Sequence, residues 1–294
     1  LCHHCGLIYL NPKPSRQKYA LFYSSGDYRR FLNIVKGHSN AGDIANYFTD
    51  AIFQTKKQLA LQTTRTYLKE VLHKEDLYFD FGCDFGASLA AVNEECGCRI
   101  MGNEPSQPCA DYIKAKLGVS ILNCSMEDIS ARERIHYAKA VKLASLIGVL
   151  EHVNDPIKCL AIVHGMLVDN GYLYTESFDV LRRMLLKKEG MRDIATIDHQ
   201  FYFHKDVYIY MLALCGFQVR RLEYDHGDGK VMQVLAQKAA LPSTAVSCDA
   251  TKAIETAIAL NRQSGSYREA IPFLLKHFRR TLPQTVIRIL ARIG

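Results

Sequence analysis

Leu77-Tyr78-Phe79-Asp80-Phe81-Gly82-Cys83-Asp84-Phe85-Gly86 decides the fold. Residues 77–82 form a short apolar run of the kind a buried strand shows, and residues 86–95 take up a helical pattern directly after it. Strand, glycine-bearing loop and helix in immediate succession open an α/β unit. In an open α/β sheet, ligands bind beyond the carboxyl ends of the strands, where this loop falls. The two glycines let backbone approach a ligand closely. Glu104, twenty-four residues after Asp80, ends the next apolar run. An acid there can take both hydroxyls of a ribose. The dinucleotide fingerprint G-x-G-x-x-G is missing, since the loop offers only Gly82-x-x-x-Gly86 with Asp84 interposed. Carboxylates at that mouth disfavour a pyrophosphate and tolerate a cation, so a sulfonium nucleoside suits the charge better than a dinucleotide.

Outward from this unit the same texture repeats. Strands are expected at residues 99–104, 119–124, 141–148 and 171–177. Helices are expected at 53–74, at 106–117 with Ser106 as N-cap and Gly118 past the end, at 155–168 behind Asp155-Pro156, and at 205–215 closed by Gly216. Residues 216–224 and 231–238 read as a final strand pair. The alternation predicts a mostly parallel sheet with helices on both faces that ends in an antiparallel hairpin. Three parts follow: an irregular N-terminal extension (1–50), the α/β domain (51–240) and a basic helical C-terminal tail (241–294).

The chain has 294 residues, 48% hydrophobic and 23% charged. Those proportions fit a globular protein and exclude a disordered one. No apolar run approaches the roughly 18 residues a membrane span needs, and the first residues read as no secretory leader. Of the net charge of +7, residues 262–294 carry +6, with seven basic side chains against Glu269. The body is therefore near balance, and no nucleic-acid partner is expected. The tail interleaves its arginines with Phe273, Phe278, Ile287 and Leu290; it suits either packing on the body or peripheral contact with an anionic membrane surface, and Pro283 breaks its pattern. Ten cysteines without framework spacing read as reduced thiols in a cytoplasmic protein. Cys2-x-x-Cys5 is half a zinc site, and both are candidate zinc ligands. The pair reads as the remnant of a knuckle or as a site completed by His3, His4 or upstream residues.

Four stretches carry a family likeness. Cys5-Gly6-Leu7-Ile8-Tyr9-Leu10-Asn11-Pro12-Lys13-Pro14-Ser15 resembles a CGLVYLNPRPS entry, Asp80 to Gly86 a DxGCGxG loop, Met101-Gly102-Asn103-Glu104-Pro105-Ser106 a GxEPS segment, and Val149-Leu150-Glu151-His152-Val153-Asn154-Asp155-Pro156 a VLEHVxDP signature. In this order, over roughly residues 1–240, they resemble class I S-adenosylmethionine-dependent methyltransferases, in particular the bacterial group with an N-terminal cysteine knuckle. The resemblance implies a Rossmann-like, seven-stranded, mostly parallel sheet that binds S-adenosylmethionine. It implies that Asp80, Gly82, Cys83 and Gly86 line the methionine end. It implies further that Glu104 and Pro105 hold the ribose, that Met126 and Glu127 contact the adenine, and that Ile147 and Gly148 flank the methyl group. The chain departs from the family pattern at Asp84, which replaces a glycine, at Val141-Lys142 for Phe-Asp, at Asp169-Asn170-Gly171 for Pro-Gly-Gly, and in the missing upstream cysteine pair.

The activity implied is methyl transfer to a small-molecule acceptor. The resemblance points to a sugar or nucleotide-sugar of cell-surface polysaccharide or secondary metabolism. Such a displacement depends mainly on alignment, and a base helps when the acceptor is a hydroxyl or a carbon acid. His152, His199 and His204 are the candidate bases; packing or loop bonding is the alternative reading of each. Tyr9, Tyr23 and Tyr28 could form a lid, or serve in core and surface. Two other readings remain in view: a nicotinamide-dinucleotide oxidoreductase, which the glycine spacing opposes, and a non-catalytic binding module, which Asp84 and Lys142 favour.

Overall fold

The computed structural model describes residues 2, 5–25, 27–28, 31, 48–196, 198–242, 255–256 and 259. In chain order its first elements are β1 (Ile8–Tyr9), α1 (Arg16–Ser24), α2 (Asp50–Thr63), β2 (Leu77–Phe81), α3 (Ala87–Cys96), β3 (Arg99–Asn103), α4 (Gln107–Leu117) and α5 (Ala131–His136). Then come β4 (Val141–Ile147), α6 (Pro156–Met166), β5 (Leu167–Phe178), α7 (Val180–Lys187), α8 (Met191–Ile194), β6 (Phe201–Tyr202), α9 (Lys205–Leu214), β7 (Phe217–Tyr224) and β8 (Val231–Lys238).

The central sheet runs β3-β2-β4-β5-β8-β7, with β3, β2, β4 and β5 parallel and β8 antiparallel to both neighbours. It is the expected Rossmann-like arrangement with its closing hairpin. The count differs from the expectation: six strands, not seven. Residues 119–124 meet the sheet through a single parallel bridge, Leu122 to Asn103. Asn123 instead donates its side-chain amide to the carbonyls of Glu104 and Pro105, and the chain turns back at once from Leu122 to Cys124.

Strands β2 and β4 are covered on both faces, so they read as continuous apolar runs. Phe79, Phe81, Ala144, Leu146 and Leu173 face one core layer beneath α6 and α9. Tyr78, Leu143 and Tyr174 face a second layer beneath α3 and α4. Burying each such side chain contributes about 1.5–3 kcal/mol. Asp80 is the exception: it shares the face of Tyr78 and sits 3% exposed at the carboxyl end of β2. The predicted N-cap residues stand where expected, and Asp155 caps through its side chain while Ser106 does not. Asp155 Oδ1 accepts from the Lys158 amide at 3.0 Å to open α6, and Ser106 takes the N-cap position of α4.

The N-terminal extension is more regular than its sequence suggests. β1 pairs antiparallel with β6, Ile8 opposite Tyr202, and α1 begins where Ser15 Oγ accepts from the Lys18 amide. His3, His4, the segment from 260 onward and the tail's arginines lie outside the described residues, so the completed zinc site and the amphipathic tail do too. Among the described residues, Cys83, Cys96, Cys98, Cys124, Cys159 and Cys215 are free thiols. Among the described residues, no helix is long and apolar enough to cross a membrane.

Candidate functional site

The strand ends of β2, β3 and β4 surround a cavity of about 230 Å³. Its floor and walls come from Gly82 and Asp84 after β2, from Asn103, Glu104 and Pro105 after β3, from the single turn Met126–Asp128, and from Ile147, Gly148, Val149 and His152 after β4. Arg16, Tyr19, Ala20 and Tyr23 of α1, with Tyr28, close it from above.

The loop after β2 owes its path to three left-handed residues, Gly82, Asp84 and Gly86. Gly82 sits at φ 68°, and a Cβ there would lie 2.9 Å from Val149 Cγ2, so only glycine fits. Asp84 also takes a positive φ, 52°. Aspartate tolerates that region better than most residues, so the turn survives the loss of the family's glycine. The amide of Asp84 donates to Glu104 Oε2 at 3.0 Å, and the amide of Ser106 donates to Glu104 Oε1 at 3.0 Å. Glu104 is thereby aimed from both sides. A carboxylate accepts about four hydrogen bonds, so these two amides alone do not saturate it.

Beneath this loop lies a buried polar chain. Tyr78 Oη is 2.6 Å from Ser145 Oγ, which donates to Asp80 Oδ1 at 2.5 Å. Burial pushes the Asp80 carboxyl up to about 7, against the Ser145 hydrogen bond, and the charges of Asp84 and Glu104 add to the rise. Asp80, Cys83 and Gly86 are all absent from the cavity wall; Asp80 and Cys83 are buried, and Gly86 is the N-cap of α3. The Cys83 thiol is pushed well above its usual range by burial, so it is no nucleophile. Glu104, Pro105, Met126, Glu127, Ile147, Gly148 and Gly82 all reach the wall. Glu127 also fixes the loop after β4, accepting from the Asn154 side chain at 2.8 Å and the Asp155 amide at 3.2 Å.

The three histidines separate. His152 lines the cavity. Its Nδ1 lies 2.7 Å from the Asp198 carbonyl oxygen and 2.9 Å from the Tyr23 hydroxyl. A carbonyl only accepts, so Nδ1 carries the proton and the lone pair of the neutral ring falls on Nε2. His199 stands behind it, ring edge to ring face at 4.6 Å, and burial draws its imidazole down against the pull of the Asp198 carboxylate. His204 does not join them: it is 2% exposed at the start of α9 and is not among the residues of the cavity wall. Tyr23 and Tyr28 cover His152, with ring centroids 6.0 and 5.8 Å from it, whereas Tyr9 pairs in β1 and packs on the core. One potential metal cluster exists among the described residues: Glu151, His152 and His199 bring ligand atoms within 4.8 Å of one another. Burial pushes the Glu151 carboxyl up to about 7.

Several wall residues had no signal in the sequence. Arg16 pairs with Asp128 across 112 positions. Asn103 donates to the Cys124 carbonyl at 3.0 Å, while its buried Oδ1 has no partner among the described residues. An orphaned buried acceptor on a cavity wall is a place for a ligand donor.

This is the site of a class I α/β methyltransferase: strand order, carboxyl-end cavity and an acid ending the second parallel strand. The chain matches the methyltransferase domain family over residues 53–222 and belongs to it. Among solved structures it resembles Burkholderia thailandensis 1,6-didemethyltoxoflavin-N1-methyltransferase with bound 1,6-didemethyltoxoflavin and S-adenosylhomocysteine, at 13% identity and TM-score 0.50, over 80% of this chain and 95% of that one. It also resembles a SAM-dependent methyltransferase from Archaeoglobus fulgidus at 14% identity and TM-score 0.51, over 67% of this chain and 100% of that one. At these identities the likeness is one of fold. No curated protein matches the sequence. S-adenosylmethionine is the cofactor of this family, and the residues present fit it: Glu104 puts a carboxylate on the wall, Asn103 Oδ1 has no partner among the described residues, and the wall is acidic.

Proposed function

We propose that the protein transfers a methyl group from S-adenosylmethionine to a small acceptor, with a sugar or nucleotide-sugar as the class the sequence resemblance favours. One observation carries this reading: a single cavity joins Glu104, the ribose acid, to His152, the one candidate base on its wall. The cofactor supplies an electrophilic carbon and a neutral thioether leaving group. The chain supplies the rest. Glu104, held by the amides of Asp84 and Ser106, takes the ribose hydroxyls. Ile147 and Gly148 stand at the carboxyl end of β4, between that end and His152. His152, its Nδ1–H given to Asp198, receives the acceptor's proton on Nε2. Tyr23 and Tyr28 exclude water above it, which strengthens the charge interactions inside.

The departures that favour a non-catalytic module weigh less against this arrangement. Lys142 lies at the opposite end of β4 from the cavity, its Nζ 5.6 Å from the Tyr172 ring. Asp84 preserves the turn.

Calorimetry with S-adenosylmethionine, S-adenosylhomocysteine and NADH tests the reading. Micromolar binding of the sulfur nucleosides and none of NADH is expected; no binding of either nucleoside favours the module instead. With an acceptor in hand, His152→Gln should lower kcat about 10²–10⁴-fold while leaving S-adenosylhomocysteine affinity within about twofold. An unchanged kcat removes His152 from the chemistry.

A further inference from the structure

Glu151, His152 and His199 bring a carboxylate oxygen and two ring nitrogens within 4.8 Å of one another. The Gln200 amide donates to the Glu151 carbonyl at 2.8 Å, which ties the loop after β4 to the segment before β6 and fixes the three residues in register. His152 faces the main cavity, while Glu151 and His199 line a second one of about 10 Å³, with Ser177 and Arg183 on the same wall. That volume is about that of one water or one small ion. The cluster therefore stands between the two cavities.

Its surroundings are those of a ligand set. A metal-binding histidine characteristically gives its second ring nitrogen to a carbonyl or carboxylate, and a ligating carboxylate takes a hydrogen bond of its own. Asp198 serves both rings: its carbonyl oxygen is 2.7 Å from His152 Nδ1, and its carboxylate Oδ2 is 3.8 Å from His199 Nε2. Ser177 Oγ donates to Glu151 Oε2 at 3.3 Å. Asp198 Oδ1 is buried with no hydrogen-bond partner among the described residues. Glu151 and Asp198 are 3% and 5% exposed, and Arg183, on the second cavity's wall, pairs instead with Glu189 at 2.8 Å. Buried charges are paired or coordinate metals, and a dication between the two cavities would supply the missing charge.

We propose that Glu151, His152 and His199 form a site for a divalent transition-metal ion such as zinc, held by one carboxylate oxygen, His152 Nε2 and one nitrogen of His199, with a fourth position open toward the main cavity. Two imidazoles and a carboxylate suit zinc or cobalt(II) better than magnesium, which prefers oxygen ligands. Ligands about 2.0–2.2 Å from zinc stand about 3.4 Å apart in a tetrahedron, so the three side chains close on the ion by movements of about an ångström. The Nε2 lone pair that takes the acceptor's proton when His152 acts as base is the one that binds the ion. Proton and metal therefore exclude one another there, and a loaded site has no base in it.

The test is a cobalt(II) titration of the metal-stripped full chain carrying Cys2→Ser and Cys5→Ser, which removes the thiol pair as a rival site. One equivalent should bind with micromolar Kd and give visible d–d absorption without thiolate-to-cobalt charge transfer. In that background Glu151→Gln and His199→Gln should each weaken cobalt at least tenfold, and Asp198→Asn, which acts through His199, about tenfold. Metal-free thermal melts report which variants are folded. No cobalt binding in the parent chain, binding that carries thiolate absorption, or unchanged affinity in a folded Glu151 or His199 variant overturns the site. Calorimetry with S-adenosylhomocysteine on the same protein keeps the two readings apart. Nucleoside binding without cobalt binding overturns the metal site alone, and cobalt binding without nucleoside binding overturns the cofactor reading alone.

Discussion

Glu104 shows how far a single residue can be read from sequence. Its type and its place after an apolar run are the grounds for proposing it as a ribose acid. What holds it, the amides of Asp84 and Ser106 at 3.0 Å each, is set by a loop whose left-handed turn no local pattern reveals once the glycine is gone. Glu104→Ala should weaken S-adenosylhomocysteine binding by about 1–3 kcal/mol, the scale of losing charge-assisted hydrogen bonds, measured by calorimetry; an unchanged affinity removes Glu104 from the site. Asp80 carries a different prediction. Its native pKa, about 7, lies above the ordinary 3.8. An acid raised in the native state stabilises it fully below the unfolded pKa, and that contribution is lost as pH rises through the native value. Asp80→Asn keeps an oxygen for the Ser145 hydroxyl but does not titrate. The stability of wild type relative to Asp80→Asn should therefore fall between pH 4 and pH 7, by at most about 1.4 kcal/mol per pH unit. Urea unfolding at pH 4, 5.5 and 7 measures it, and a flat difference places Asp80 at an ordinary pKa. Asn103, Arg16 and Asp128 were illegible for another reason: their roles arise only from contacts between distant segments.

At the scale of elements, legibility followed the source of each element's stability. Strands β2 and β4 were readable because burial on both faces writes an uninterrupted apolar run, and α4 and α6 because Ser106, Gly118 and Asp155-Pro156 punctuate them. The stretch 119–124 is equally apolar but pairs through Leu122 alone, so composition overstated it. α1 was missed because polar contacts dock it. Tyr19 donates to the Asp198 carbonyl, Tyr23 meets His152, and Arg16 meets Asp128, while neither tyrosine belongs to the apolar layers of the sheet. Its docking hydroxyls leave no 3.6-residue apolar stripe to find. Tyr19→Phe removes one of those bonds at a cost of about 1 kcal/mol. Global stability should change by no more than that, whereas amide hydrogen exchange across Arg16–Ser24 should quicken several-fold. Exchange in that helix at the wild-type rate means apolar packing holds it.

The whole molecule carries most of its positive charge in its C-terminal tail, while its cavity is acidic. Net charge is +7, yet among the described wall residues Asp84, Glu104, Glu127 and Asp128 face only Arg16. The overall charge would draw in a dinucleotide, and the local charge turns it away; at contact distance the local field decides, because salt screens interactions beyond about 8–10 Å. The same wall joins segments more than a hundred residues apart, from Arg16 of α1 to Asn154 behind β4. A ligand that fills it binds the folded chain alone, and stabilises it by about 2.7 kcal/mol at a hundred times its Kd. For a domain of this size each kcal/mol raises Tm by about 2–4 °C. S-adenosylhomocysteine at that excess should therefore raise Tm by about 5–11 °C in a thermal melt, and NADH at equal concentration should leave it within about 1 °C. In Glu104→Ala the shift at the same ligand concentration should shrink, because the variant sits at a smaller multiple of its own Kd. A NADH shift as large as that of S-adenosylhomocysteine would assign the cavity to a dinucleotide, and the acidic wall would then need counter-charges from outside the described residues.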